Sequence, residues 1–179
     1  MLEKFLSQHG MEIEDIEKAK KQSRVYAHRS DYTWEGAEVV RYKPEGNDWE
    51  GIVRQVIIGY QEETKFHVRY FEISPGGYSS LEKHNHSHAV TVIRGNGKVI
   101  LGERAVALKF LDTVYVSPDD PHQFINDGNE PFGFLCVVDA ERDRPRALDP
   151  EEILKLEGKP ETGQVVKTAK IVMITPSEG

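Results

Sequence analysis

Three histidines stand at alternating positions in one short run of this 179-residue chain. The run is LEKHNHSH, in which His84, His86 and His88 alternate and Glu82 comes two positions before the first of them. The chain has only 7 histidines, and another, His122, stands later in DDPHQFIN. Alternate residues of an extended strand point to one face. We therefore expect two to four of these side chains to converge on one point, with His122 reaching it from another strand.

Imidazole and carboxylate side chains together form a ligand set for a divalent transition metal ion. The run has no thiolate, which argues against a closed structural zinc site, so we expect a position left open for water or substrate. Fe, Mn, Zn, Ni, Co and Cu all fit, because ligand type alone does not select among them. Two alternatives are a solvated face of an edge strand, with Lys83 and Asn85 opposite, and an incidental surface affinity for nickel. The features that flank the run favour a buried metal site.

Short β-type runs begin after residue 35, and turn residues separate most of them. They are EVVRY (38–42), IVRQVII (52–58), KFHVRYFEI (65–73), AVTVI (89–93), KVIL (98–101), AVALKF (105–110), TVYVS (113–117), HQFIN (122–126) and FGFLCVVD (132–139). Many short strands with little helix among them predict an all-β fold, an antiparallel sandwich or barrel. Asn96-Gly97 between two of these runs predicts a tight hairpin, because both central residues of such a turn need a positive φ.

Helical extensions are expected at both ends of the barrel. Residues 12–23 have weak helical periodicity, with acids before bases. Residues 149–158 predict a second helix, with Asp149 as N-cap, Pro150 at its first position and Gly158 after its end. Residues 164–174 are predicted to form a last strand. We expect an N-terminal helical extension over 1–35, the β-barrel over 36–140, and a C-terminal extension over 141–179 that packs on the barrel.

The overall charge narrows the choice of partners. A formal net charge of −7 argues against nucleic acid or an anionic membrane as the main partner. No run approaches the roughly 18 apolar residues of a membrane helix, and the N-terminus has no apolar core of signal-peptide length. We therefore expect a soluble, cytoplasmic protein. The single cysteine, Cys136, excludes an internal disulfide, and its place in FGFLCVVD indicates a buried packing residue.

The residues around the histidine run resemble the first motif of the cupin family. That motif is Gly, five residues, His-x-His, three or four residues, Glu, six residues, Gly. This chain has Gly76, five residues, Glu82-x-His84, three residues, His88, six residues and Gly95. The spacing matches with Glu82 in the place of the first histidine and His88 in the place of the glutamate.

The second cupin motif is Gly, five residues, Pro-x-Gly, two residues, His, three residues, Asn. His122 and Asn126 match it, whereas Leu111, Ser117 and Asp119 occupy the earlier marks at the right spacing. Fifteen residues, 96–110, separate the two motifs, and this is the minimum separation expected in the family. The resemblance covers roughly 65–140 and implies a single jelly-roll barrel, the double-stranded β-helix of cupins.

Carried over residue by residue, the resemblance implies His84, His88 and His122 as metal ligands, with Glu82 as the fourth. His86 is then an extra histidine that lines the pocket or supports a ligand. A second register makes His84 and His86 the His-x-His pair, but it loses the spacing to the two motif glycines. If Glu82 is not a ligand, it becomes the leading candidate for proton transfer.

Three further residues are candidates for the substrate pocket. Phe124 shares the alternation of His122, so it lines the pocket or packs in the core. Arg69 is placed either to bind an acidic substrate or as a surface charge. Asn126 either contacts substrate or, as we prefer, braces the loop after His122.

The resemblance implies a small-molecule substrate and favours a dioxygenase-like enzyme, while the family also includes isomerases, decarboxylases and lyases. A non-catalytic module that binds a metal or small ligand, such as a sensor, is the competing class. The resemblance also implies a homodimer, in which EVVRY covers a sheet edge of the partner.

Overall fold

The structure is a computed structural model that describes residues 22–168. Its strands are β1 (Val40–Arg41), β2 (Glu50–Ile58), β3 (Phe66–Tyr78), β4 (Glu82–Lys83), β5 (His88–Arg94), β6 (Gly97–Leu101), β7 (Arg104–Leu108), β8 (Thr113–Val116), β9 (His122–Ile125), β10 (Phe132–Asp139) and β11 (Arg146–Ala147), and its helix is α1 (Pro150–Glu157). All nine predicted strands are present, and β4 and β11 are two-residue strands that were not predicted. The predicted all-β fold is confirmed.

The helix predicted over 149–158 is confirmed as α1, which begins with Pro150 and is followed by Gly158. The helix predicted over 12–23 lies outside the described residues apart from its last two positions. Of the strand predicted over 164–174, only 164–168 are described, and they are turn and coil. No helix within residues 22–168 is both long enough and apolar enough to cross a bilayer.

The strands form two rows that curl into an antiparallel barrel. One row has the order β1, β2, β3, β10, β5, β8, and the other has β7, β6, β9, β4, β11. The long strand β3 joins the rows, because its last residue, Tyr78, pairs with Ile125 of β9. EVVRY contributes β1, which covers the edge of β2 within the same chain. Because β5 lies in the first row and β9 in the second, these two strands face each other across the interior.

The inward-facing positions change from polar to apolar along each strand. On β5, His88 is followed inward by Val90 and then by Val92, and both valines are fully buried. The same order runs along β3 (Arg69, Phe71, Ile73) and along β10 in reverse (Cys136, Phe134, Phe132). The register of β3 and β10 places Arg69 beside Cys136, Phe71 beside Phe134 and Ile73 beside Phe132. On the other side of β10, Cys136 lies beside Val90 and Phe134 beside Val92, one inward step further along β5. One end of the barrel is therefore a packed hydrocarbon core, and the other end is polar.

The prediction of a tight hairpin at Asn96-Gly97 is wrong. β5 pairs with β10 and β8, whereas β6 pairs with β7 and β9, so the chain crosses from one row to the other here. The positive φ belongs to Gly95, at +60°, and a Cβ there would lie 2.3 Å from the carbonyl oxygen of Pro131. The turn needs glycine for a close backbone approach rather than for a two-residue hairpin.

Two residues that replace motif glycines in this chain keep the backbone conformation typical of glycine. Leu111 and Asp119 stand where the second motif has glycine, and their φ values are +70° and +61°. The matching glycines of the first motif, Gly76 and Gly95, also have positive φ. This chain therefore keeps a positive φ at these motif positions, although residues other than glycine rarely adopt it.

The described part of the C-terminal segment packs on the outside of the barrel. Leu148 and Leu156 are buried against Leu81. The Gln123 side chain donates a hydrogen bond to the Lys167 carbonyl and accepts one from the Lys167 backbone N–H. These contacts hold the segment against β9 and the strand that precedes the histidine run.

The described part of the N-terminal segment, residues 22–35, contains no helix. Its one β-bridge joins His28 and Trp34. The Trp34 ring packs 4.9 Å from the ring of Tyr70, which anchors this segment on the outer face of β3.

Candidate metal centre

A cavity of about 440 Å³ opens at the polar end of the barrel. Its size is in the range of small-molecule sites. Phe71, Phe124 and Phe134 form its floor, with the ring of Phe134 centred 5.6 Å from Phe71 and 4.7 Å from Phe124. The histidine run, His122, Cys136 and several cationic side chains form its walls.

His84, His88 and His122 meet at one side of this cavity. Each offers a ligand atom, and these atoms all lie within 4.8 Å of one another. His88 is on β5, His122 is on β9, and His84 lies in the segment that connects β4 to β5. The ring centroids are 4.7 Å to 5.1 Å apart.

The run 82–88 is not one extended strand, contrary to the prediction. β4 ends at Lys83, β5 begins at His88, and the chain bends between them. The bend carries the chain from one row of strands to the other. His84 and His88 still converge, because each flanks the bend on the interior side.

Backbone carbonyls orient two of the three imidazoles. The Nδ1 of His84 lies 2.8 Å from the His86 carbonyl oxygen, and the Nδ1 of His122 lies 2.9 Å from that of Asp120. A carbonyl only accepts, so each Nδ1 carries the proton and each Nε2 keeps a free lone pair. This is the tautomer that a metal-ligating histidine uses when its other nitrogen is held by the protein.

The Nδ1 of His88 faces a thiol instead of a carbonyl, and because a thiol can donate or accept, this contact does not by itself fix the tautomer. This Nδ1 lies 3.5 Å from the thiol of Cys136, and the Nε2 of His88 is buried with no hydrogen-bond partner within residues 22–168. A buried polar atom without a partner is costly, so a ligand atom is expected beside it. The donor set and this orphaned nitrogen both fit a bound metal ion.

All three imidazoles are held neutral. Burial, followed by the nearby His122 and His86, lowers the pKa of His84 to about 4. Burial and then His122 and His84 lower the pKa of His88 to about 2. Burial also lowers the pKa of His122. Neutral imidazole is the form that binds a metal, so the site is prepared for one at neutral pH.

His86 lies beside this group rather than in it. Its ring stacks on His84 with centroids 3.6 Å apart and planes inclined by 6°. Its Nδ1 lies 2.7 Å from a carboxylate oxygen of Asp143, which also accepts hydrogen bonds from the backbone N–H groups of Asn85 and His86. Asp143 therefore fixes the bend, and through it the ring of His84. Sequence reasoning did not find Asp143, because its segment looks like a solvated tail.

Glu82 lines the cavity, but its carboxylate is occupied by other partners. Lys43 Nζ lies 2.6 Å from Oε2, and the Tyr42 hydroxyl lies 3.4 Å from Oε1. Lys43 also contacts the hydroxyl of Ser80 at 2.8 Å. Although Glu82 pairs with His122 across β4 and β9, it is not among the three residues whose ligand atoms converge.

The three predicted pocket residues have different positions. Phe124 is in the cavity floor and also in the core. Arg69 lines the wall, with Nη2 3.2 Å from the Cys136 thiol. Asn126 is fully buried and is not among the lining residues; its amide donates hydrogen bonds to the carbonyls of Ile73 and Glu130.

Three further arginines line the cavity and were missed from the sequence. They are Arg54 on β2 and Arg142 and Arg144 after β10. Arg54 stands at an inward position two residues after Ile52, which was a readable signal. The other two lie in ERDRPR, whose mixed charges indicate a solvated tail. Only the fold brings these distant segments to one wall.

Comparisons with known proteins agree with this architecture. The family model for the cupin domain matches residues 69–138. The 1-methylthio-D-xylulose 5-phosphate methylsulfurylase of Rhodospirillum rubrum is 39% identical over 119 residues, which cover 66% of this chain and 76% of that relative. A cupin 2 conserved barrel domain protein from Rhodopseudomonas palustris has a TM-score of 0.75 at 32% identity, covering 81% of this chain and 100% of the other.

A cupin 2 domain-containing protein from Halorhodospira halophila has a TM-score of 0.62 at 39% identity, covering 79% of this chain and 94% of the other. The motif spacing, the curled antiparallel barrel and these relatives agree: the chain belongs to the cupin family.

Proposed function

We propose that this cupin is a metal-dependent enzyme that acts on a small organic molecule inside the cavity. One divalent transition metal ion is held by the Nε2 atoms of His84, His88 and His122. One observation carries the proposal: all three Nδ1 atoms face other partners, which leaves three neutral nitrogens beside one another. The metal would be Fe, Mn, Zn, Ni, Co or Cu, since nitrogen ligands suit each of them.

A metal ion bound to three imidazoles supplies Lewis acidity to an oxygen-bearing substrate or, if it is redox-active, a centre for dioxygen chemistry. Glu82 is the residue that we propose for proton transfer, because its carboxylate lines the same cavity as the three histidines. Lys43 fixes that carboxylate by its contact with Oε2. For Glu82 to act instead as a fourth ligand, it would use Oε1, the oxygen that faces the Tyr42 hydroxyl. His86 and Asp143 hold His84 in place.

Two reaction classes are open to such a site. The first is Lewis-acid-assisted isomerisation, elimination or group transfer on an oxygenated substrate. Its support is the relative from R. rubrum, which by its name acts on 1-methylthio-D-xylulose 5-phosphate. The second is the dioxygenase reaction that the cupin resemblance favours. Its support is the neutral three-histidine set above a floor of phenylalanine rings, since nitrogen donors suit a redox-active metal.

Metal content is the first test. The untagged protein is purified without added metal and measured by inorganic mass spectrometry beside His84→Ala and His122→Ala, with the exposed His28→Ala as the matched control. We expect about one metal ion per wild-type or His28→Ala chain and a large loss in the two site variants. Less than about one ion per five wild-type chains would contradict the proposal.

Turnover is the second test. The metal-loaded protein is assayed against phenolic, dicarbonyl, thiol and sugar-phosphate compounds while dissolved oxygen is recorded. Substrate loss that is stoichiometric with oxygen consumption assigns a dioxygenase, whereas substrate loss at constant oxygen assigns the first class. Metal binding without turnover on any of them favours a non-catalytic ligand-binding module. Glu82→Gln is expected to lower kcat and leave the metal content unchanged.

We also propose a homodimer, as expected from the family resemblance, and a cytoplasmic location. β1 covers β2 in cis, so a dimer would form through other edges or faces. Light scattering coupled to gel filtration tests the oligomeric state, since a monomeric mass at micromolar concentration would exclude the dimer.

A further inference from the structure

The cavity is strongly cationic although the protein as a whole is anionic. Lys43, Arg54, Arg69, Arg142 and Arg144 line it, whereas Glu82 is the one carboxylate among its lining residues. Lys43 and Glu82 neutralise each other. Within residues 22–168, no carboxylate pairs with any of the four arginines. The cavity therefore has an excess of positive charge in a chain whose net charge is −7.

Arg54 and Arg69 form the centre of this charge. Arg54 faces Phe71 across β2 and β3, and Arg69 comes two residues before Phe71. The two arginines are thus diagonal neighbours on the inner face, a relation that separates backbones by about 7–8 Å. The Nε atom of each is buried and has no hydrogen-bond partner among the described residues, 22–168. Burial, followed by the charge of Arg69, lowers the pKa of Arg54.

Arg142 adds a third guanidinium to the same wall. Its Nη1 donates to the carbonyls of Asp139 and Ala140, which fixes the side chain without compensating its charge. It is among the charges that act on Arg54. Arg69 is fixed in turn by its contact with Cys136 and by the ring of Phe71, 5.1 Å from its guanidinium carbon.

Arg54, Arg69 and Arg142 are half-buried, and partly desolvated cations of one sign without counter-ions cost stability, which a ligand of opposite charge offsets. We propose that Arg54, Arg69 and Arg142 bind the phosphate group of a small phosphomonoester whose reacting end lies at the histidines. A dianionic phosphate suits three guanidinium groups, because each offers paired N–H donors to its oxygens. A monoanionic carboxylate would leave the wall with a larger charge excess.

This inference rests on the proposed function, since it names the substrate class of the same cavity. The net negative charge of the protein keeps chains apart in solution, whereas the positive charge of the cavity raises the local concentration of anions. The phosphate would occupy the wall formed by β2, β3 and the segment after β10. The three histidines lie on a different side, contributed by β5, β9 and the bend before β5.

Calorimetric titration with inorganic phosphate and with glycerol 2-phosphate tests the inference, using purified protein whose metal content is measured, at constant ionic strength. Acetate is the carboxylate probe. We expect wild type to bind both phosphates more tightly than acetate. Arg54→Gln and Arg69→Gln should each raise the phosphate Kd about tenfold or more, because each loses a charge-assisted hydrogen bond. The exposed Arg104→Gln is the matched control and should bind as wild type does.

His84→Gln separates this inference from the metal proposal. It should lose metal and keep phosphate binding if the arginines form the subsite. Phosphate binding that disappears with the metal but survives in Arg54→Gln and Arg69→Gln would overturn the inference, since phosphate would then bind at the metal. Acetate binding as tight as phosphate, or no phosphate binding by a metal-loaded wild type, would also overturn it and leave the proposed function intact. Circular dichroism verifies that each variant is folded.

Discussion

Acidification is predicted to destabilise the metal-free protein because its cavity holds buried, neutral histidines. The pKa of His84 is lowered to about 4 and that of His88 to about 2, whereas an unfolded histidine has a pKa of about 6.5. Below pH 6.5 the unfolded chain binds protons that the folded chain does not. The stability contributed by these groups is therefore complete above pH 6.5 and is lost as the pH falls toward the folded pKa.

The expected loss follows from the unfolded state almost alone. At pH 5 an unfolded histidine is nearly fully protonated, while His84 and His88 in the folded chain remain mostly neutral. Each then removes about 2 kcal/mol of stability relative to pH 8, so the pair removes about 4 kcal/mol. Because the folded pKa values lie below 5, their exact position changes this figure little. A loss of this size is large against the roughly 5–15 kcal/mol of a typical domain.

Urea denaturation of the chelator-treated protein between pH 8 and pH 5 measures this loss. His84→Gln should reduce the loss over that interval by about 2 kcal/mol, because one of the neutral histidines is gone. His28→Gln, an exposed histidine outside the cavity, is the matched control. If His84→Gln loses as much stability as wild type between pH 8 and pH 5, desolvation does not hold this imidazole neutral and the reasoning is refuted.

Three other predictions concern parts of the fold away from the metal site. Phe132→Ala, in the fully buried core, should lower the free energy of unfolding by about 3–5 kcal/mol, measured by urea denaturation; a loss below 1 kcal/mol would contradict the close packing of that end. Leu111→Gly should raise the free energy of unfolding by about 0.5–1 kcal/mol, because it relieves a left-handed φ at an exposed side chain; a lower melting temperature would count against this. Glu103 pairs with Lys155 in the last turn of α1 and with Lys159 just after the helix, which lowers the pKa of Glu103 to about 2 from 4.5. Glu103→Gln should therefore speed hydrogen exchange in α1 at neutral pH, with the difference from wild type vanishing near pH 2 or in high salt; a difference that persists in high salt would exclude the ion pairs as its cause.

Local patterns predicted the strands well and their partners poorly. Each strand has its own alternation of apolar residues, so the nine runs could be found one by one. Pairing is non-local: nothing around Asn96-Gly97 reveals that the flanking strands belong to different rows of the barrel. The same turn residues that indicate a hairpin also serve a crossover, and only the pairing of β5 with β10 and β8 and of β6 with β7 and β9 decides between them.

The candidate site shows the same division. The spacing to Gly76 and Gly95 selected His84 and His88 over His86, and the structure brings those two together with His122. The partner of Glu82 was not predictable in this way, because Lys43 is distant in sequence and belongs to no motif.

The arginines that line the cavity belong to neither cupin motif, so the motif spacing could not identify them. The spacing of Arg54 from Ile52 was a local signal of an inward position, whereas for Arg142 charge alone indicates a solvated surface until the fold shows which way the side chain points. Asp143 was missed for the same cause, although its carboxylate holds the bend that positions His84.

On β3, β5 and β10, the residues that stabilise the barrel and the residues that line the cavity belong to the same strand and lie only a few positions apart. The side chains of the packed core occupy one layer of the barrel. Those that face the cavity lie two to four residues further along the same strands, toward the open end, and a layer of phenylalanines separates the two. Replacing Phe71 or Phe134 by a smaller side chain would deepen the cavity by a layer while Ile73 and Phe132 remain in place. Substrate length is thus adjustable by single substitutions, which is a physical reason why one barrel can be diverted to many substrates during evolution.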